Sequence, residues 1–363
     1  MVNSTSTNFY DTYDSTTPCF DSLLEAVNSL SDSSIDSLDD IDWQPVSGGD
    51  INEASLLTIG NSERKKHISQ QIFLKQNTIE KAPVLEAEVA GLAAIYATGA
   101  RTCQPLAFGV DNERARSFLL LSVIHSYQGS ATSMTEGWQN LALQLATLHQ
   151  AIAPQPKTNQ SDNSDKLDNN QPSKWYAGWF DDNFIGSSPQ RNSWTADWHE
   201  FFASQRLGVQ LQMAFDRQRI DRQTLQQIEC IQRKLEQHLP NYPLTDDAGQ
   251  PRPSLLHGDL WAGNAMLGQA ADNNNNRNST KALGYLIDPA VYVGHPETDL
   301  AMTQMFGGFT SAFYDAYLEY GLMENGFSDR VDIYNLYHYL NHLNLFGSGY
   351  LSAVQRIAQR FGG

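Results

Sequence analysis

The stretch Leu255-Leu256-His257-Gly258-Asp259-Leu260-Trp261-Ala262-Gly263-Asn264 constrains the fold more than any other part of the chain. About 25 residues later the apolar run Leu286-Ile287 closes on Asp288-Pro289-Ala290. Two carboxylates and a carboxamide at these positions are hard oxygen donors, suited to a magnesium ion that His and Cys would hold poorly. The Asp259-x-x-x-x-Asn264 spacing is that of a phosphoryl-transfer loop, H-R-D-x-x-x-x-N, with Gly258 in place of Arg. In such loops the Asp accepts the proton of the attacking hydroxyl and the Asn holds magnesium. The spacing therefore predicts Asp259 as general base, with Asn264 and Asp288 as metal ligands. A lone His-Gly-Asp would say little; the three positions together demand a loop and a strand end side by side.

A nucleotide site should lie upstream. Ser47-Gly48-Gly49-Asp50 is followed by a strand over Ala54–Ile59, a polar turn over Gly60–Lys66 and a strand ending in Ile72-Phe73-Leu74-Lys75. Adjacent glycines let backbone N–H groups approach phosphates, although an ordinary hairpin turn reads the same way. An apolar strand finishing in Lys is the form of the phosphate-binding lysine strand, or else a solvated strand end. The helix expected over Val84–Thr98 carries Leu85, Val89, Leu92 and Tyr96 on one face. At about 100° per residue, Glu88 falls about 60° from the centre of that stripe and Glu86 about 100° away. Glu88 is thus the better partner for Lys75.

Charge narrows the partners. The formal net charge of −17 argues against nucleic acid and against anionic membranes. Nine carboxylates and no Lys or Arg fall within residues 1–42, so the catalytic region is less acidic than the whole. Cys19, Cys103 and Cys230 are widely spaced and form no metal motif, which suits a reducing compartment. The absence of a long apolar run or of a basic, apolar leader makes cytoplasm the expected location.

The coarse organisation is an acidic N-terminal extension over 1–42, partly disordered; a β-rich nucleotide-binding lobe over 43–124; and a helical lobe over 125–363. Ser117–Val123 is a continuous apolar strand and is expected at the sheet edge, leading into a hinge. Polar insertions interrupt the chain near 155–173 and 269–281. Trp138–Gln150, Trp194–Arg206, Gln223–His238 and residues 299–361 read as helical, and Asn264–Leu267 with Leu283–Ile287 as a hairpin.

The run L-L-H-G-D-L-W-x-G-N, with Trp261, resembles the fructosamine kinase (ketosamine-3-kinase) family, relatives of aminoglycoside phosphotransferases and choline kinases. Leu85-Glu86-Ala87-Glu88 and the Trp198–Leu207 run are similar too, as are Asp288-Pro289-Ala290, Gly294–Ala301 and Tyr339–Gly347. The likeness extends from about Trp43 to Phe361. It implies an α+β, bilobal protein-kinase-like fold. It also implies transfer of the ATP γ-phosphoryl, with Mg2+, to the C3 hydroxyl of a ketosamine on a small amine or protein lysine, ending in deglycation. Another small-molecule kinase of the aminoglycoside or choline type, or a nucleotide-binding pseudokinase, are the competing readings. The sugar is left open, as is monomer against weak dimer. No thiol lies in Val46–Gly49, so the redox-controlled dimerisation of some relatives is not expected.

On the same likeness, Lys75 would contact the α- and β-phosphates with Glu88 fixing it, and the amides of Gly48 and Gly49 would cover the phosphates. Trp261 would be a platform for the apolar face of the sugar, or a core residue. His257 would brace the loop, and Asp299 would accept its backbone N–H bonds. His295 and Glu297 would contact substrate or shape the turn before the next helix. His338 and His342, four apart on a helix but without the Glu of H-E-x-x-H, are expected to pack rather than bind zinc.

Overall fold

The computed structural model describes residues 17–31, 34–46, 52–59, 70–156, 175–269 and 281–363. Its N-terminal lobe is a six-stranded sheet built from β1 (Cys19–Phe20), β2 (Asp42–Val46), β3 (Glu53–Ile59), β4 (Gln70–Thr78), β5 (Pro105–Asp111) and β6 (Arg116–Ser122), in the order β1-β5-β6-β4-β3-β2. Pairing is antiparallel except where β1 runs parallel to β5.

β6 explains the layering. Successive side chains of a strand point to opposite faces. Phe118 and Leu120 pack on one side with helix α1 (Leu23–Leu30), whereas Leu119 and Leu121 pack on the other with helix α2 (Ala82–Ala97). A continuously apolar strand must be covered on both faces. It therefore lies inside the sheet, between β5 and β4, and not at the expected edge.

The boundary expected at 42/43 also moves. Leu23, Ala26 and Val27 of α1 are fully buried against Leu57, Ile72 and Leu74, and Ile35, Leu38 and Ile41 join the same core. The described part of the acidic segment is thus a layer of the lobe, with Asp21, Glu25, Asp36, Asp39, Asp40 and Asp42 turned outward. Asp111, from β5, accepts from the free Leu23 N–H at 3.1 Å, capping a helix whose own Ser22 side chain does not. The low-complexity stretch and the hairpin tip fall largely on residues 157–174 and 270–280, outside the described residues.

The second lobe is mainly helical around a large apolar core. Helix α3 (Ala131–Gln150) lies against the strand Ala282–Leu286, which pairs with Ala265–Gln269 in the expected hairpin. A short hairpin follows α3 in sequence: β7 (Asn183–Ile185) and β8 (Ser188–Gln190). Helix α4 starts at Trp198–Phe201, passes through a π-helical stretch at Phe202–Gly208 and resumes at Val209–Asp216. Helices Glu297–Met305, Ser311–Leu318, Phe327–Phe346 and Leu351–Phe361 close the lobe. No described helix is long and apolar enough to cross a membrane.

Candidate active site

A cleft of about 890 Å³ lies between the lobes, and Lys75, Glu88, Asp259, Asn264 and Asp288 all border it. The loop geometry follows from its sequence. Leu255 and Leu256 anchor a buried strand against Tyr292–Gly294, and the chain then turns at Gly258 with φ +83°. A Cβ there would lie 2.0 Å from the Ala290 carbonyl oxygen, so glycine is the residue that fits. Asp259 follows, half-buried at the cleft floor.

Asn264 ties the floor together. Its Nδ2 donates to the Asp259 backbone carbonyl at 2.8 Å and to Asp259 Oδ2 at 3.1 Å, while its own backbone carbonyl accepts from Ile287 N–H at 3.0 Å. Burial pushes the Asp259 carboxyl up to about 7, with the Asp288 charge adding to the rise and the Asn264 bond opposing it.

Asp288 has φ +55°, in the left-handed region, and its carboxylate is 43% exposed to the cleft. It bonds to Lys75 Nζ, which also donates to Glu88 Oε1 at 2.7 Å. Burial works against the Lys75 charge, but Glu88 and Asp288 together hold its pKa above the ordinary value. Burial pushes the Glu88 carboxyl up against the pull of Lys75, and Asp288 adds to the rise. Glu86 is exposed.

His257 is wholly buried, with Nε2 donating to Ile287 O at 2.8 Å and Nδ1 accepting from Asp259 N–H at 3.3 Å. That tautomer is neutral, and burial lowers its pKa further, so it braces both catalytic segments. Asp299 accepts from the backbone N–H groups of His257 at 2.7 Å and Gly258 at 2.8 Å. Burial would raise its pKa, but His149 and the loop bonds hold it below the usual carboxylate range. His149 Nε2 lies 3.0 Å from Asp299, and its Nδ1 lies 2.7 Å from the Tyr317 hydroxyl. His149 and Tyr317 gave no signal in the sequence, being single polar residues on helices otherwise read as packing faces.

Trp261 is 38% exposed at the cleft edge, with its indole over Gly263 and edge-on to Phe306, so it is not a core residue. A Cβ on Gly263 would come within 2.3 Å of that ring, which explains the W-x-G spacing. Phe306, His342, Phe346 and Tyr350 extend an aromatic wall from it; only its first member was legible beforehand.

Two expected substrate residues lie elsewhere. His295 and Glu297 are fully buried and neither borders the cleft. His295 is packed among Trp198, Tyr242 and Tyr334, with Nε2 3.1 Å from Asn241 O. Glu297 pairs with Arg330 at 2.6 Å and accepts from Glu324 N–H at 3.1 Å. Both were drawn in by a motif whose job here is to pack a helix start. His342 Nδ1 lies 2.8 Å from the His338 carbonyl oxygen, and no three-residue metal cluster occurs among the described residues. Gly48 and Gly49 lie outside the described residues.

The residues present fit a magnesium ion. Three carboxylates (Glu88, Asp259 and Asp288) border a cleft with one lysine, which is paired to Glu88 and Asp288 and not to Asp259, so a divalent cation would relieve the excess of acidic groups. Two protein oxygen ligands are few, but magnesium takes the rest from water and nucleotide phosphates.

The fructosamine kinase family model matches residues 23–361, nearly the whole chain. The chain belongs to the fructosamine kinase family. This fructosamine kinase relative is 34% identical, over 87% of its length and 88% of the other's, to a probable ketoamine kinase of Synechocystis sp.. To a chloroplastic protein-ribulosamine 3-kinase of Oryza sativa subsp. japonica it is 35% identical, over 86% of its length and 76% of the other's. A crystal structure assigned to a fructosamine-3-kinase candidate from Haemophilus somnus superposes with a TM-score of 0.69 at 23% identity, covering 94% of this chain and 96% of that one. The bilobal protein-kinase-like fold is thereby established, and the family match begins inside α1, in accord with that helix being part of the lobe.

Proposed function

We propose that this protein is an ATP-dependent kinase that phosphorylates the C3 hydroxyl of ketosamines on amines or protein lysines. The observation that carries the reading is the convergence of Asp259, Asn264, Asp288, Lys75 and Glu88 on one cleft in a chain of this family. Relatives bearing the names ketoamine kinase and protein-ribulosamine 3-kinase support the acceptor class.

ATP enters with its base against the apolar side of the cleft, where Val46, Ala54, Phe73 and Met266 lie. Lys75 meets the α- and β-phosphates while Glu88 keeps its ammonium in place. Asp288 and Asn264 are the residues that would hold magnesium, which when bound screens the charge of the phosphates. To hold it, Asp288 would have to give up its bond to Lys75. The ketosamine lies along Trp261, with its C3 hydroxyl at Asp259. Asp259 takes the hydroxyl proton as the oxygen attacks the γ-phosphorus and ADP leaves. A carboxyl poised near 7 is well matched to that task at neutral pH. The product then enolises and loses its C3 phosphate as inorganic phosphate, and water hydrolyses the resulting C1 imine to free the amine and leave a 3-deoxy dicarbonyl sugar.

ATP consumption with a series of ketosamines tests this directly, comparing wild type with Asp259→Asn. Turnover confined to the wild type supports it. No turnover with any ketosamine, or equal turnover by the variant, sinks it.

A further inference from the structure

Arg206, in the π-helical stretch of α4, is the largest fully buried side chain, yet among the described residues no carboxylate pairs with it. Its guanidinium lies 3.8 Å from the centre of the Tyr292 ring and 4.6 Å from that of Phe201. Burying a cation without a counter-ion is costly, so what it holds in place matters. Nη2 donates to Asn192 Oδ1 at 2.8 Å. Asn192 Nδ2 in turn donates to Asn183 Oδ1 at 2.8 Å, and Gln190 Nε2 donates to the same oxygen at 2.8 Å.

The chain of bonds ends on the segment after Asp288. Asn183 Nδ2 donates to Val291 O at 2.8 Å, and Gln190 Nε2 donates to Ala290 O at 3.0 Å. Tyr337 donates its hydroxyl to Gln190 Oε1 at 2.7 Å, so the Gln190 carboxamide is fixed at both ends. On its other side the segment is tied to the catalytic loop, with Ala290 N–H donating to His257 O at 2.8 Å. Asp288 needs such support. A left-handed backbone is disfavoured for a residue with a side chain, less so for Asp than for most, and its surroundings have to hold it there.

We propose that Gln190 and Asn183, held by Arg206 through Asn192, are positioning residues that keep Asp288 in its left-handed conformation with its carboxylate turned to the metal side of the cleft. This rests on reading Asp288 as a metal ligand. Without the bonds to Ala290 O and Val291 O, the segment relaxes toward ordinary backbone angles and the carboxylate swings away from Asn264.

The test measures Mn2+ binding to the full-length protein with ADP present, from the electron-spin signal of free Mn2+, alongside Mg2+ dependence of turnover. Gln190→Met keeps the side-chain length but removes its donors and acceptor. It should weaken Mn2+ binding about tenfold, the cost typical of losing a partner behind a metal ligand. The half-saturating Mg2+ should rise in step, with the KM for ketosamine little changed. Tyr337→Phe should move both in the same direction by about two- to threefold, and decides the matter if Gln190→Met fails to fold. Asp332→Asn, in a surface ion pair outside the cleft, should lower the melting temperature without touching Mn2+ affinity. Gln190→Met and Tyr337→Phe proteins with unchanged Mn2+ affinity would overturn the proposal. If Asp288→Asn also leaves Mn2+ affinity unchanged, the ligand assignment itself falls, and this inference with it.

Discussion

Lys75 and Glu88 meet at 2.7 Å between β4 and α2, and both side chains are less than a tenth exposed. The pair couples a strand of the sheet to the helix behind it, so Lys75 is only as well placed as α2. Glu88→Gln should therefore act through Lys75. Its kcat/KM for ATP should fall by about 10- to 100-fold, roughly 1.4–3 kcal/mol. Lys75→Met should cost as much or more. Adding Glu88→Gln to it should cost little further, since residues in one network are not additive. Fully additive losses in steady-state kinetics would show that the two act separately.

Asp259→Asn removes the proposed proton acceptor while leaving the Asn264 hydrogen bonds nearly intact. kcat should drop about 10²- to 10⁴-fold, while ADP affinity by calorimetry stays within a few-fold. A comparable loss of nucleotide binding would mean that Asp259 shapes the site instead of serving the chemistry.

Gly263→Ala pushes a methyl into the Trp261 indole, which has to leave its present place. If the ring seats the sugar, the KM for ketosamine should rise about tenfold, or 1.4 kcal/mol, with the KM for ATP unchanged. Equal effects on both substrates would indicate general loop damage.

Arg330→Ala leaves Glu297 as a fully buried, unpaired charge. Breaking a buried pair this way costs about 3–5 kcal/mol, so chemical unfolding should show a large loss of stability. Activity per folded molecule should be retained, because neither residue borders the cleft. A selective loss of ketosamine affinity would restore Glu297 as a substrate residue.

Burial pushes His295 and His338 down to about 3, so both are neutral in the folded protein at any ordinary pH. The unfolded chain protonates them near 6.5. Their stabilising contribution is therefore complete above about pH 6.5 and is lost progressively as pH falls toward 3, at roughly 1 kcal/mol per pH unit for each. Asp259, whose folded value is raised, acts in the opposite sense over part of this window. Comparing wild type with His338→Leu isolates the histidine: the variant should unfold with a shallower dependence on pH between about 6.5 and 4.5. Identical slopes would show that His338 takes no part.

That Lys75, Glu88, Asp259, Asn264 and Asp288 converge on one cleft was readable because phosphoryl-transfer chemistry fixes residue types at short spacings. Asp259 and Asn264 sit in one loop, and Glu88 could be separated from Glu86 by helical angle alone. What escaped the sequence was of two kinds. His149, Gln190, Asn183 and Arg206 work through hydrogen bonds between segments up to 168 residues apart, and no local pattern marks a residue for such a task. His295 and Glu297 lay in a family motif that left substrate contact and turn-shaping both open, and burial and the Arg330 pair place them in the packing. β6 was misplaced for a related reason. Its unbroken apolar run asked for cover on both faces, and the second cover is α1, which lies in the acidic segment set apart from the lobe as an extension.

The covering role of α1 sets where a functional version of this enzyme can start. A gene trimmed to begin at Trp43 would still encode each catalytic side chain. It would also leave Leu57, Ile72, Leu74, Phe118 and Leu120 without their lid, an oily plane directly behind the strand that carries Lys75. Such a product would be expected to clump or to be digested before it met a nucleotide. A shortened form that keeps this cover has to include α1 from Leu23 onward, and fusion partners attached ahead of it need a spacer long enough to leave that helix seated.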